Sequence, residues 1–221
     1  MNNTRDVGNR LAPFFKAHGF TRKSNMFYKI QNNIAFCAGL ERPGGLYSLC
    51  YIIPLYIPTS VRHITYGGRL QDFEPFPVPH FDFYWNEPSQ LEVFVERTME
   101  CCEKYVFPLY DSISNPESLI NFLNKGYKHV HKFLTNLDII HYYEVKLYTN
   151  FVLARYDDMV ADAADMCLEI DDWICLSKER KNKWKENIIK FADFRFAPAE
   201  EKEEFIKNTI EHSIIVCRFK K

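Results

Sequence analysis

Met26-Phe27-Tyr28-Lys29-Ile30-Gln31-Asn32-Asn33-Ile34-Ala35-Phe36-Cys37-Ala38-Gly39-Leu40 reads as two strands folded back on each other. Mostly apolar residues make up 26–30 and 34–40, and between them Asn32 and Asn33 tolerate the positive φ that a tight hairpin turn demands. In the second run Ile34, Phe36, Ala38 and Leu40 share one face, and the small residues Ala35, Cys37 and Gly39 share the other. The large face should meet a layer of helices, and the small face should be crossed closely by another part of the chain. Pro43-Gly44-Gly45 then turns the chain into a third strand over residues 46–53, which completes an antiparallel meander.

Outward from this meander the pattern changes. Upstream, residues 4–18 carry Val7, Leu11, Phe14 or Phe15, and His18 at helical spacing, with Gly19 as the stop and Pro13 marking a kink or a later start. Downstream, residues 59–88 hold Gly67-Gly68 and then Pro75, Pro77 and Pro79 among Phe73, Phe76, Phe81, Phe83, Tyr84 and Trp85. Prolines so placed exclude a helix or a central strand, leaving short strand pieces at 61–66 and 80–85 within an aromatic loop that folds over a core or lines a cleft.

From Ser89 onward the signals are helical. Ser89-Gln90-Leu91-Glu92 has the form of a capping box, followed by the apolar stripe Leu91, Phe94, Val95, Thr98, Met99 and Cys102. Asn115-Pro116-Glu117 supplies a cap, a first-turn proline and a first-turn acid, and Lys125-Gly126 a stop. Further helices are predicted over 138–154, 158–170, 178–194 and 198–216. The fold class is therefore α+β: an antiparallel sheet packed by helices, with a helical C-terminal layer. We assign one domain over 1–221, with a sheet-containing part (1–125) and a helical part (126–221).

Composition supports a folded interior and restricts the partners. Of 221 residues, 47% are hydrophobic and 16% aromatic, which excludes intrinsic disorder. A net charge of −1 argues against a dedicated nucleic-acid binder or a polybasic membrane binder. The longest uncharged apolar run, 46–61, is too short for a bilayer and holds Pro54 and Pro58, so no membrane span is expected. Seven cysteines without a C-x-x-C, and an N-terminus without a hydrophobic signal core, point to free thiols in a reducing cytoplasm.

His18-Gly19-Phe20-Thr21-Arg22-Lys23-Ser24-Asn25-Met26-Phe27-Tyr28 resembles the opening of a bacterial domain-of-unknown-function family with a helix, a GF-x-R-K-x-x-x-F-Y segment and a strand meander. Tyr84-Trp85, Phe107-Pro108-Leu109-Tyr110-Asp111 and the Ser118-Leu119 helix extend the likeness over most of residues 5–123. The resemblance implies the fold and a bacterial source, and carries over no catalytic residues.

Candidate sites are few. Arg22 and Lys23 read as solvated turn charges, with anion binding as the functional alternative. Arg62, His63, Arg69, Asp72, His80 and Asp82 form the one enzyme-like cluster, able to grip an anion and exchange protons, yet at no catalytic spacing. His129 and His131, with His141, have ligand chemistry, but on a helix i and i+2 face apart; we assign no metal and no cofactor. The sharpest feature is acidic. Asp157, Asp158, Asp162, Asp165, Glu169, Asp171 and Asp172 include no base among them, and five of these recur as one helical stripe opposite Val160, Ala163, Ala164 and Cys167. The bases of 178–185 follow, so the stripe either neutralises the next helix or docks a basic partner. With no catalytic signature, we expect a non-enzymatic interaction module of the inhibitor or immunity type. Asp158, Asp162, Asp165, Glu169 and Trp85 are its contact candidates; the alternative is a small-molecule or phosphate-handling enzyme built on the loop cluster.

Overall fold

The computed structural model describes residues 3–41, 47–58, 66–70, 88–132, 134, 138–174 and 176–219. Helix α1 (Asn3–Ala17) buries Val7, Leu11 and Phe15 and runs unbroken through Pro13, which lies on the solvent side where its missing N–H is not needed by the core. It ends as the sequence predicts. Gly19 takes φ 81°, and the Phe20 amide donates back to the Phe15 carbonyl at 2.9 Å, a turn that aims the chain at the sheet.

The sheet is a five-stranded antiparallel meander in chain order: β1 (Thr21–Lys23), β2 (Met26–Gln31), β3 (Ile34–Glu41), β4 (Tyr47–Pro54) and β5 (Tyr66–Arg69). Asn32 and Asn33 turn β2 into β3 at φ 48° and 64°. Two strands extend the expectation. Thr21–Lys23 pairs with β2 through Ser24 and Asn25, too short and polar to show a strand pattern. Gly67 in β5 opposes Tyr51 so closely that a Cβ there would stand 2.0 Å from the Cys50 carbonyl oxygen; this glycine is what admits the strand.

The two faces of β3 meet different neighbours, as their side-chain sizes require. Ile34, Phe36, Ala38 and Leu40 join the main core with α1 and with α2 (Pro88–Cys101), α3 (Phe107–Ser112), α4 (Pro116–Leu123), α5 (Tyr127–Val130) and α6 (Ile139–Val152). Ala35 and Cys37 sit in a second cluster where Phe219 and Cys217, just past the last helix, cross the sheet. Between α2 and α3 a π turn (Cys102–Val106) inserts one residue, the Phe107 amide bonding to the Cys102 carbonyl. Cys101 and Cys102 are both fully buried in consequence. Helix α2 already includes Pro88, which moves Ser89 from the cap into the first turn. Asn115 caps α4 in reciprocal bonds with Ser118, and Asp138 caps α6 by accepting from the His141 amide.

The C-terminal helices α7 (Tyr156–Asp172), α8 (Lys178–Asp193) and α9 (Ala199–Val216) build a third cluster with one face of α6 around Phe151, Met159, Met166 and Ile170. The class is thus α+β with C-terminal helices. Among the described residues no helix is long and apolar enough to cross a membrane.

Candidate functional site

Helix α7 buries Met159, Asp162, Ala163, Met166 and Ile170. Asp158, Asp165 and Glu169 each stand one residue before a buried position, about 100° round the helix, so the acidic stripe runs along the seam with α6 and not opposite the packed face. Of the residues expected opposite the acids only Ala163 is buried, Val160 and Cys167 are half-buried and Ala164 is exposed; the placement of Asp162 on the outer stripe is corrected above all. Asp162 is 3% exposed; Lys146 Nζ lies 2.6 Å from its Oδ1, and Asn150 Nδ2 donates to its Oδ2 at 2.7 Å. Burial pushes its carboxyl above the ordinary range, although Lys146 and Asn150 pull the other way. Asp162 is therefore an interior residue, unable to meet a partner.

Asp158 and Asp165 are exposed and form no ion pair among the described residues; Glu169 is half-buried. Burial and then the Asp165 and Glu169 charges raise the Tyr143 phenol. The basic helix α8 is met elsewhere. Lys185 pairs with Asp171 Oδ1 at 2.7 Å and Lys181 donates to the Asp171 carbonyl at 2.6 Å, so the intramolecular neutralisation runs through Asp171. On the outer face of α7, Leu168 is 65% exposed, with Asp165 three residues before it and Asp172 four after, and Ala161 and Ala164 lie bare on the same side. Ile174, just beyond the helix, is 95% exposed.

Arg62, His63, Asp72, His80, Asp82 and Trp85 lie outside the described residues, and of the loop cluster Arg69 alone is placed, half-buried on β5. Arg22 and Lys23 are half-buried and engaged within the fold. The Arg22 guanidinium donates to Asn9 Oδ1 at 2.8 Å and to the Ser24 carbonyl at 3.0 Å and lies over the Phe27 ring, while Lys23 Nζ donates to the Arg218 carbonyl past α9. They fasten α1 and the C-terminal segment to the β1–β2 hairpin. His129 packs on Phe122, His131 on Tyr127, and His141 Nδ1 bonds Asp138 Oδ2 at 2.8 Å. That bond, opposed by burial, raises the His141 pKa. Cys37, Cys50, Cys101, Cys102, Cys167 and Cys217 are free thiols, and Cys175 is not among the described residues.

One constellation was absent from the sequence candidates. The turn after α1, strands β2 and β3, and α3 enclose a cavity of about 160 Å³. Its floor is aromatic: Phe107 stands 5.6 Å from Phe20, Phe20 6.5 Å from Tyr110, and Tyr110 4.9 Å from Phe36, centroid to centroid. Its rim is polar: His18, Lys29, Gln31 and Asp111. His18 is pinned, its Nδ1–H donating to the Phe14 carbonyl at 3.0 Å and its ring 4.4 Å from Phe107, which leaves Nε2 an acceptor in the neutral ring. Tyr110 is pinned too, its hydroxyl donating to the Cys37 carbonyl at 2.6 Å. The signal was present in segments 18–31 and 107–111, with Phe36 on the strand between them. What could not be read was that the two segments meet.

No family model, no curated protein and no solved structure matches the chain.

Proposed function

We propose that the chain is a non-enzymatic interaction module of the inhibitor or immunity type, working in a bacterial cytoplasm and docking a basic protein partner on the outer face of α7. The observation that carries this is Leu168, 65% exposed between Asp165 and Asp172. A large apolar side chain held in water among acids that the fold does not neutralise is the composition of a contact: an anchor for burial, a charged rim for steering. Ala161 and Ala164 leave the backbone beside it open to close approach.

Asp162 takes no part in this surface. The test set is therefore Asp158→Asn, Asp165→Asn and Glu169→Gln combined, with Leu168→Ala as a second variant. Affinity capture from the native host, quantified by mass spectrometry, should show a basic protein retained by the wild-type chain. It should be lost with either variant and released as salt rises, at an unchanged melting temperature. Equal capture by all three chains removes the docking face.

A further inference from the structure

We propose that the cavity between the end of α1, strands β2 and β3, and α3 binds a zwitterionic aromatic molecule of amino-acid size. This site is independent of the docking face on α7. Lys29 and Asp111 carry opposite charges on one rim, and neither side chain forms an ion pair or hydrogen bond with any described residue; the same holds for the Gln31 side-chain amide. Opposite charges that share a rim without joining suit a ligand bearing both complementary charges, its carboxylate to Lys29 and its ammonium to Asp111.

The floor selects the rest of the ligand. Phe20, Phe36 and Tyr110 are buried from most sides and Phe107 is half-buried, so the open side of the cavity is a surface of rings that favours another ring over water. A cavity of about 150 Å³ accepts a benzene ring, and about 160 Å³ with an open polar rim accommodates that ring with its charged tail outward. Other ligand classes fit the rim less well. A nucleotide's phosphates call for more than the single lysine present, and a divalent cation for more than one carboxylate. Lys29, Gln31, Phe36, Phe107, Tyr110 and Asp111 stand on strands and a helix, and His18 and Tyr110 are each locked by a bond to a backbone carbonyl, so the site is preformed.

Isothermal titration of the full chain with L-phenylalanine tests this, with 3-phenylpropanoate and 2-phenylethylamine as ligands lacking one charge each. The wild-type chain should saturate with L-phenylalanine. Lys29→Met should weaken L-phenylalanine and 3-phenylpropanoate about tenfold and leave 2-phenylethylamine unchanged, the scale of one charge-assisted hydrogen bond. Asp111→Asn should weaken L-phenylalanine and 2-phenylethylamine similarly and leave 3-phenylpropanoate unchanged. Neither side chain has a described partner to lose, so both variants should keep the wild-type melting temperature. Absence of saturable binding by about 10 mM, or variants that bind all three ligands like the wild type, overturns the assignment.

Discussion

Asp162 and Asp165 stand three residues apart on α7, the same side chain in two environments. The first is sealed against α6 with Lys146 and Asn150; the second is exposed without an ion pair among the described residues. Removing one partner of a buried pair leaves the other uncompensated, so Asp162→Ala should cost about 3 kcal/mol, whereas Asp165→Ala should stay within about 0.5 kcal/mol. Urea unfolding of the two variants side by side measures this, and equal midpoints would contradict the interior placement. The sign of the pH effect follows from burial. With its pKa raised on folding, Asp162 favours the folded state most at pH below its unfolded value, and that contribution is lost as pH rises through its folded value. Wild type and Asp162→Ala should therefore differ in the acid slope of stability. Arg22 and Lys23 carry the same lesson: charges that look like turn residues are fasteners once their acceptors, Asn9, Ser24 and Arg218, are in place.

At the scale of the element, the π turn between α2 and α3 decides which side chains reach the sheet. One inserted residue keeps Cys101 and Cys102 inward and brings Val106, Leu109 and Tyr110 onto the core behind them. The thiols are then governed by their surroundings. A hydrogen bond with Cys50 and burial raise Cys102; burial raises Cys37 and pushes Cys101 up to about 12. Such thiols hold almost no thiolate at neutral pH. Native-state alkylation followed by peptide mapping should label the half-buried Cys167 and Cys217 first, and reach Cys37, Cys101 and Cys102 only after denaturation. Early labelling of Cys102 would show that the π turn opens. The apolar stripe of α2 was legible from Leu91 to Cys102 because helical period is a local property. The insertion after it was not, since the stripe ends at Cys102, where the π turn begins, and no local pattern marks the inserted residue.

Over the whole molecule, the last described residues close what the first strands open. The small face of β3 is covered where Phe219 stacks on Tyr28 at a centroid distance of 4.7 Å and Lys23 holds the Arg218 carbonyl. Phe219 is 6% exposed, so Phe219→Ala should cost about 3–5 kcal/mol as a core truncation, read as a lowered denaturation midpoint. A midpoint unchanged within error would mean the C-terminal segment rests on a sheet that is stable without it. Tyr56 and Thr149, their hydroxyl oxygens 3.0 Å apart in the interior, link the turn after β4 to α6, and α6 in turn contributes to both the sheet core and the C-terminal cluster.

The α+β class, the hairpin at Asn32-Asn33, the large and small faces of β3, and the cap at Asn115 were all legible along the chain, because alternation, helical period and capping depend on residues a few positions apart. The sequence also announced that something must cross Ala35 and Cys37. Long-range packing makes Phe219 that element, turns Asp162 inward to Lys146, and brings His18, Lys29 and Asp111 to one cavity. Each of these pairs elements that no local pattern relates. Their meeting is set by the summed burial of the whole core, to which any single residue contributes too little to be read alone.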